Sequence, residues 1–506
     1  MKTVPLILSC SISALARAGE CVTYEEFGAV GDGKADDQAA IVAAHEAANA
    51  KGLPVRAGDG RTYYIGRGAK VASIQTDVDF GTATFIIDDR ELEDIKAPVF
   101  RVDPSSPPVA VAGVASLSAG QAGLGVALPG PCLVEVKNDL VRQYIRFGNN
   151  QNNGAPRKEV FLADARGAID PGTPLIWDYK AVTKLTAYPV DTNQVVIRGG
   201  HFKTIANQAE SKYNYHGRGI AVRRSNVRIE GLRHDVEGEG AHGAPYTGFV
   251  SISSCAYVTV TGCTFTAHRT YLTIGSAGRP VQMGTYDINV ANSANVSFVG
   301  CRQTTDINDR KYWGLFGSNY CRNLLLDDCV FSRFDAHQGV ANATIRNSTL
   351  GHQGINAIGF GTLLIENTTV LAPQFVNLRT DYGSTWKGDF IVRNCTFAPQ
   401  GGGASFGTLI KGVNTDSHDF GYPCHMPRKI VFDGLRIDDS RHPKTYGGPW
   451  IFAMFNDKNT KPGYKGKYPY HITEEVVLRN VTTASGKELA VSPNPFMFRD
   501  VKIVRE

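Results

Sequence analysis

The sequence predicts an all-β chain wound as a single-stranded parallel β-helix. Three observations predict this fold. Long helical patterns are scarce in a chain that is rich in Gly, Asn, Thr and Val. Short strands that end at a turn residue recur through the second half of the chain. Two successive intervals between these turns are 19 and 20 residues, which suits one coil of a parallel β-helix and is too short for a propeller blade of about 40 residues.

The repeat is an alternation of apolar residues that ends at Gly, Asn or Asp. These residue types tolerate the left-handed backbone that a sharp corner requires. We interpret the longer intervals, up to 46 residues, as coils that carry loop insertions. A β-sandwich of short strands is the alternative, although sandwich strands would not keep one turn residue in register. The corner residues, among which Asn347, Asn367 and Asn394 could form a hydrogen-bonded ladder, are Gly199, Gly231, Gly262, Gly300, Asp328, Asn347, Asn367, Asn394, Gly434 and Asn480.

The cysteines fit the same repeat. Nine remain after residue 18, an odd number that cannot pair completely within one chain. No Cys-x-x-Cys pair occurs, which argues against a zinc site. Because buried free thiols pack as small apolar groups, we expect an inward stack, with a disulfide between coils as the alternative. The position after the corner residue is held by Cys263, Cys301, Cys329 and Cys395, and in two intervening coils by Ser348 and Thr368.

The N-terminus predicts export. Residues 1–18 read as a secretory signal peptide, with a charge at Lys2, a modest apolar stretch, and the cleavage pattern Ala16-Arg17-Ala18. We therefore expect a secreted or periplasmic protein. Lipidation at Cys10 is a weaker alternative because it leaves a short apolar run, and an uncleaved N-terminus is another. No later stretch of about 18 apolar residues predicts a membrane span.

A short passage near the N-terminus carries a family resemblance. It comprises Tyr24-Glu-Glu-Phe27-Gly28-Ala-Val-Gly31-Asp32-Gly33, an Ala-rich helix after Asp36-Asp37, and the strand-like Tyr63-Tyr64-Ile65. This passage resembles the entry segment of the pectate-lyase-like superfamily. The superfamily consists of right-handed parallel β-helix proteins and includes polysaccharide lyases, polygalacturonase-type hydrolases and phage tailspikes. The resemblance implies a right-handed solenoid and points to a polysaccharide as the ligand.

The helix in this passage has a physical reason to form. Asp36 or Asp37 can cap its N-terminus, and Ile41, Ala44 and Ala48 form an apolar stripe. We expect the helix to cover the open end of the solenoid, because end coils need a cap. This makes both aspartates structural rather than catalytic.

We divide the chain into four segments. They are the signal peptide 1–18, an N-terminal cap with the first coils at 19–100, an inserted small β-subdomain at 101–190, and the main β-helix at 191–506. The insertion includes a polar tract at residues 148–154. It could overhang the solenoid as one wall of a cleft, or it could serve the fold alone.

The densest polar passage, Thr304 to Lys387, is the predicted functional region, because function usually lies on loops held by a rigid scaffold. Aligning coils by their corner residues places Arg333 beside His352 and His337 beside Asn356. Neighbouring coils are about 4.8 Å apart, so these pairs would form one patch.

Such a patch favours β-elimination on a uronate-containing polysaccharide. This reaction needs a group that neutralises the carboxylate, a base for the C5 proton, and an acid for the departing oxygen. Histidine can be the base because it titrates near neutral pH. The candidate catalytic residues are Arg333 and Arg379 (with Asn356) as neutralisers, His337 or His352 as the base, and Tyr382 as the acid or the base.

Binding of an anionic polysaccharide also calls for aromatic, basic and polar groups beside the catalytic ones. We expect a monomer. We expect no nucleic-acid partner, because a net charge of +5 is too small to indicate one. The candidate substrate-binding residues are Asn356, Asp335, Asp381, Trp386, Lys387, Trp313 and Arg310.

The resemblance also implies a candidate metal, because several lyases of the superfamily use Ca²⁺ as the neutralising group. No other cofactor is indicated. The carboxylates of the polar passage do not have EF-hand spacing. Those that could bind such an ion are Asp306, Asp309, Asp335 and Asp381.

Two other functions remain open. Glycoside hydrolysis needs two carboxylates, for which Asp327-Asp328, Asp335 and Asp381 are candidates. Residues 351–354 and 378–380 faintly resemble motifs of the polygalacturonase branch, but its Asn-Thr-Asp motif is missing. A non-catalytic adhesin or tailspike-like binder is the third class, and polymer-level epimerases are a further variant. The sequence leaves the sugar, its sulfation and the cutting mode open.

Overall fold

The structure is a computed structural model that describes residues 20–209, 214–240, 243–399 and 407–506. The predicted signal peptide, residues 1–18, lies outside the described residues. Parallel strands stack coil upon coil into three long faces, and apolar side chains from all three pack into one core. The predicted parallel β-helix is confirmed. Within the described ranges, no helix is long and apolar enough to cross a membrane.

The three faces share their longest strands, which turn corners from one face to the next. The first face contains, in pairing order, Val22–Thr23, Val55–Arg56, Val78–Asp88, Val195–Ile205, Val227–Glu230, Ala256–Thr261, Ala294–Val299, Phe316–Asp327, Val330–Arg346, Thr349–Glu366, Trp386–Arg393, Lys429–Asp433, Glu475–Arg479 and Lys502–Arg505. Parts of those strands continue into a second face with Asp32–Asp36, Thr62–Ile65, Arg233–Glu237, Thr264–Phe265, Arg302–Gln303, Thr369–Val370, Thr396–Phe397, Arg436–Ile437 and Thr482–Thr483. Other parts form the third face with Ala72–Ile74, Phe100–Val102, Ile220–Val222, Val250–Ser253, Ile288–Ala291, Gln374–Leu378, Thr408–Lys411 and Trp450–Phe452.

The predicted corners are confirmed. All ten corner residues have left-handed backbone, with φ between 47° at Asn367 and 73° at Gly434. A side-chain ladder runs along this corner, because Asn367 Nδ2 donates to Asn347 Oδ1 at 3.1 Å and Asn347 Nδ2 donates to Asp327 Oδ1 at 2.8 Å. The residue type at each corner thus serves both the backbone turn and the stacking of coils.

We expect Asn347→Ala to destabilise the β-helix by about 2 kcal/mol. The substitution removes two exposed ladder hydrogen bonds, together worth about 1 kcal/mol. It also places alanine, which tolerates left-handed backbone less well than asparagine, at φ 52°, at a further cost of about 1 kcal/mol. Asn347→Gly is the matched control, because it removes the same bonds without the strain. Urea unfolding midpoints compare the two. Equal losses for Ala and Gly would contradict the assigned backbone strain.

The cysteine stack is also present. The thiols of Cys263, Cys301, Cys329 and Cys395 are free and at most 2% exposed. Ser348 continues the stack, since its hydroxyl accepts a hydrogen bond from Cys329 N at 3.0 Å. The alternative of a disulfide between coils is wrong for the described cysteines, all of which are free.

The N-terminal helix α1, Gln38–Lys51, follows a 3-10 turn at Glu25–Phe27. Its predicted apolar stripe is buried, with Ile41, Ala44 and Ala48 at most 1% exposed. Asp37 stands at the N-cap position without a side-chain capping bond. Its carboxylate instead accepts the backbone N–H groups of residues 30 and 31 at 2.6 and 3.2 Å, which holds the glycine loop before the helix.

Residues 109–189 leave the solenoid and form an antiparallel sheet with its own core. A buried ion pair between Arg322 and Glu159 joins this sheet to the β-helix. The strands are Val109–Ala110, Cys132–Gln143, Ala155–Ala163 and Lys184–Pro189. Three further small pairs decorate the solenoid, namely Tyr271–Ile274 with Pro280–Met283, His268–Arg269 with Tyr312–Gly314, and Cys424–His425 with Tyr470–His471. A second 3-10 turn spans Thr380–Tyr382.

Candidate functional site

A cleft of about 340 Å³ opens where the inserted sheet meets the third face of the β-helix. One wall comes from the loop between two strands of the insertion, and another from the hairpin that ends at Met283. These walls touch, because Asn149 Nδ2 donates to Pro280 O at 3.1 Å. The lining residues are Arg146, Asn150, Asn152, Tyr215, Gln282, Met283, Gly284, Tyr286, Asn289, Trp313, Gly317, Asn319, His337, Gln338, Arg379 and Tyr382.

His337 enters the cleft on a bulge. Ala336 pairs with Ala357 of the next coil, and Val340 pairs with Gly359. Two more residues therefore lie between Ala336 and Val340 than between their partners. The register also shifts against the preceding coil at this point. Gly339, with φ 85°, permits the turn that closes the bulge. Bulges re-aim side chains and are common beside active sites.

The hydrogen bonds of His337 fix its tautomer. Its Nδ1 lies 3.0 Å from Asn319 Oδ1, an oxygen that can only accept, so Nδ1 carries the proton. The other nitrogen, Nε2, lies 3.5 Å from the hydroxyl of Tyr382. Burial, and then the charge of Arg379, lower the pKa of His337 to about 3. The imidazole is therefore neutral at neutral pH, with an accepting nitrogen beside Tyr382.

Tyr382 is the hydroxyl partner of this histidine. Burial raises its pKa above the ordinary value, so the hydroxyl stays protonated. Its ring meets the His337 ring edge to face at 5.3 Å, and the Arg146 and Arg379 guanidinium groups lie 5.5 and 5.6 Å from its centre. The cleft thus holds a proton donor and a proton acceptor within one hydrogen-bonded pair.

Beneath this pair lies an ion-pair cluster built around Asp335. This carboxylate is fully buried and accepts Nη1 of Arg379 at 2.6 Å, Nη2 of Arg333 at 2.7 Å and the Tyr286 hydroxyl at 2.5 Å. Burial opposes its ionisation, but Arg333 and Arg379 outweigh that effect and lower the pKa of Asp335 to about 2. Asp335 is therefore ionised and positions both arginines.

A second carboxylate completes the cluster. Asp381 accepts Nη2 of Arg379 at 2.9 Å and Nη2 of Arg146 at 2.8 Å. Burial again opposes ionisation, and the charges of Arg379 and Arg146 overcome it and hold the pKa of Asp381 well below its usual range. Three guanidinium groups against two carboxylates leave a charge of +1. The floor of the cleft is therefore positively charged.

Comparison with known proteins gives the handedness of the coil. Neither a family profile nor a curated protein sequence matches the chain. The solved tailspike gp61 of Pseudomonas phage phi297 is 13% identical with a TM-score of 0.53, and covers 92% of this chain and 81% of its own. The tailspike gp49 of Pseudomonas phage LKA1 is 15% identical with a TM-score of 0.50, and covers 94% and 83%. Both have the right-handed parallel β-helix fold.

This chain is a right-handed parallel β-helix. The β-helix brings six of the predicted site residues together in one cluster, and Trp313 joins them from the cleft wall. The Arg333 guanidinium lies 4.5 Å from the centre of the Trp313 ring. The clustered residues are Arg333, Asp335, His337, Arg379 and Tyr382, with Asp381 bound to Arg379.

The predicted coil alignment is wrong at two places. Arg333 pairs with Gly354 rather than with His352, because the coil after Asn347 carries two extra residues there. His352 instead places its Nδ1 2.9 Å from Ile307 O and does not line the cleft. Asn356 pairs with Asp335 rather than with His337 and binds Asn377 through its side chain. Insertions at these bulges break the equal-length assumption behind the alignment.

Other predicted binding residues lie elsewhere. Trp386 is fully buried in the core and donates its indole N–H to Gly361 O at 2.9 Å, so its expected stacking on a sugar is wrong. Lys387 is exposed on the first face, and Arg310 is exposed on the loop before Trp313. Neither contributes to the lining of the cleft.

The carboxylates of this cluster are poorly arranged to bind Ca²⁺, which needs several oxygen ligands. Asp335 and Asp381 direct their oxygens to arginines, while Asp306 and Asp309 accept backbone N–H groups within their own loop. Across the described part of the chain, no group of three or more His, Cys, Asp or Glu side chains is arranged to hold a metal ion. The candidate carboxylates therefore do not fit a calcium site.

Several lining residues escaped the sequence prediction. Arg146 lies far from the polar passage, Asn319 lies inside a strand, and Tyr286 follows a hairpin. Only the asparagine-rich tract at 148–154 carried a signal, because a polar loop in an insertion suggests a wall. The contacts of Arg146 with Asp381 depend on how the insertion folds back, which no local pattern encodes.

Proposed function

We propose that this cleft cleaves an acidic, uronate-containing polysaccharide by β-elimination. The observation that carries the proposal is the hydrogen-bonded pair of neutral His337 and protonated Tyr382 above an arginine cluster of net charge +1. A neutral base, a protonated acid and a positive floor are the three components that this reaction needs.

Each component has a defined role. Arg379 and Arg146 pair with the uronate carboxylate and so stabilise the charge that develops when the C5 proton leaves. His337 accepts that proton at Nε2, the nitrogen that its bond to Asn319 leaves unprotonated. Tyr382 donates its hydroxyl proton to the departing glycosidic oxygen as the C4–O bond breaks and the C4–C5 double bond forms.

The hydrogen bond between the two side chains resets the site. After elimination, His337 carries one extra proton and Tyr382 lacks one. Transfer from Nε2 to the phenolate oxygen, which lie 3.5 Å apart in the resting site, restores both groups. The cycle therefore consumes no proton overall and requires no metal ion among its steps.

Hydrolysis by paired aspartates fits this cluster less well. A glycosidase of that type needs one carboxyl group that is protonated at working pH. Asp335 has its pKa lowered to about 2, and that of Asp381 is also well below normal, so both are ionised. Asp327 and Asp328 form ion pairs with Arg346 and Arg302 on the corner of the solenoid.

The remaining parts of the proposal concern the setting of the enzyme. We propose that the protein acts outside the cytoplasm as a monomer, after removal of residues 1–18. A non-catalytic binder of the same polymer is the second candidate, favoured by two further cavities of about 400 and 630 Å³ that adjoin the cleft.

A panel of pectate, alginate, chondroitin and heparin tests the proposal. Elimination creates an unsaturated uronate that absorbs in the ultraviolet, so we expect absorbance to rise with at least one polymer. New reducing ends without that absorbance would show hydrolysis instead. Binding to a polymer with neither signal would identify a non-catalytic binder.

A further inference from the structure

The proposed active-site cleft is one end of a longer groove. A second cavity of about 400 Å³ shares Arg146 and Asn150 with the cleft. A third cavity of about 630 Å³ shares Asn414, His418 and Phe420 with the second. We refer to the third as the distal cavity. The shared lining residues place the three cavities side by side, and we refer to this row of cavities as the groove.

Strand register gives the length of this groove. The third face pairs in succession from the cleft residue Asn289 to Lys411, which precedes Val413 of the second cavity, by way of Gly317, Asp335, Asn356 and Asn377. These five steps, at about 4.8 Å each, span about 24 Å. The distal cavity borders the second cavity at Asn414 and lies beside the strand pair Cys424–His425 and Tyr470–His471. The groove is therefore much longer than a single sugar.

The distal cavity has the lining of a sugar site. Tyr468 and His418 are half-buried, His471 is exposed, and the cavity also reaches Phe420. His418 packs against Phe147 and Phe420, and His471 stacks on His425, whereas Tyr468 stands at the cavity edge, where a ring can present its flat face to a sugar. Arg142 of the insertion, which is exposed, adds a positive charge at the rim. Asp419, which is also exposed, lines the same cavity, so the rim carries charges of both signs and suits a polar sugar better than a purely apolar ligand.

A lysine-rich loop extends this rim. Residues 458–467 contain four exposed lysines, and Lys467 lies 5.3 Å from the centre of the Tyr468 ring. Asp416 anchors this loop: its carboxylate accepts the Tyr464 hydroxyl at 2.6 Å and Asn456 Nδ2 at 3.0 Å. Its carbonyl accepts the Tyr468 backbone N–H at 2.9 Å. Lys467 is thus held next to Tyr468 of the distal cavity, and the other lysines of the loop are Lys458, Lys461 and Lys465.

We propose that the distal cavity binds sugars of the polysaccharide chain that lie outside the cleft. Its choice of ligand rests on the proposed function of the cleft, because both would hold one chain. Occupation of both ends makes long chains better substrates than short fragments and directs cleavage to the interior of the polymer. Binding energy gained at the distal cavity then lowers KM for long chains alone.

Tyr468→Ala and Arg142→Ala test this inference. Neither change removes a partner from the cleft, and the backbone bond of Tyr468 to Asp416 is kept. The matched controls are Tyr257→Ala and Arg166→Ala, both exposed on other parts of the surface. Polymer binding is measured by electrophoresis through polymer-containing gels, and kcat/KM is measured on intact polymer and on disaccharide to tetrasaccharide fragments. Melting temperatures verify folding.

We expect each distal variant to weaken binding and lower kcat/KM on intact polymer by about tenfold, with short fragments unaffected and controls like the parent. Equal losses on short and long substrates, or unchanged binding, would overturn the distal site. Lost binding in Tyr468→Ala without cleavage of any polymer by the parent would support the distal site and overturn the lyase proposal. Absence of binding to every polymer by the parent would overturn both.

Discussion

We expect His337→Ala and Tyr382→Phe each to lower kcat on the cleaved polymer by roughly 100- to 10,000-fold, the range that one acid or base contributes. The first change removes the accepting Nε2, and the second removes only a hydroxyl. Because the two groups exchange one proton, the double variant should have a kcat only slightly below that of the less active single variant. Initial rates of ultraviolet absorbance on the polymer measure these losses.

The matched controls separate chemistry from folding. His201→Gln changes a partly exposed histidine that pairs with Asp235, and Tyr257→Phe removes an exposed hydroxyl. Both should retain parental rates. If Tyr382→Phe kept full activity while His337→Ala lost it, the tyrosine would not be the acid. If both variants kept full activity, the cleft would not be the active site.

The pH profile of the parent enzyme adds an independent readout. His337 must be neutral to accept a proton, and burial with Arg379 lowers its pKa to about 3. Its protonated form therefore accumulates only below about pH 3, and kcat/KM should stay on a plateau through pH 6.5, where an ordinary histidine titrates. An acid limb centred near pH 6.5 would contradict the assigned environment.

Much of the fold was predictable because a solenoid repeats one local problem. Each coil must turn a corner, and the residues that tolerate left-handed backbone are few, so Gly, Asn and Asp mark the corners in the sequence. Cys263 and Cys301 come directly after those corners, at a position where the side chain is buried in the core. The handedness came from the resemblance and from comparison, since a strand pattern is the same in either hand.

The site was predictable only in part because bulges decide which side chains leave the solenoid. Arg379, His337 and Tyr382 do converge, whereas the alignment of coils, which assumed equal lengths, placed His337 beside Asn356. The bulge at His337 turns its side chain into the cleft, whereas Trp386 lies in a strand that pairs without a register shift and points into the core. Gly339 was the one local sign of that bulge. The insertion wall depends on contacts between residues more than 100 positions apart, such as Asn149 with Pro280.

Asp335→Ala should produce the largest loss of stability, about 3–5 kcal/mol. Removing this carboxylate leaves Arg333 and Arg379, whose side chains are 6% and 10% exposed, without their shared counter-charge. An unpaired charge in a buried site costs far more than an exposed ion pair contributes. Asp389→Ala is the matched control, because its partner Arg428 is 60% exposed and the pair is worth at most about 1 kcal/mol. Urea unfolding midpoints at neutral pH give the comparison.

The same carboxylate sets an acid limit for the parent protein. The pKa of Asp335 is lowered to about 2 in the folded chain, against about 3.9 when unfolded, so its stabilisation is complete above pH 3.9. It is lost as the pH falls through 2, and amounts to roughly 2.6 kcal/mol. Asp335→Ala should therefore show a shallower decline of unfolding midpoint between pH 4 and 2 than the parent. Parallel acid profiles, or a midpoint equal to that of Asp389→Ala, would mean that Asp335 does not hold the arginines. Because the same arginines form the floor of the cleft, lost stability and lost turnover in this variant should occur together.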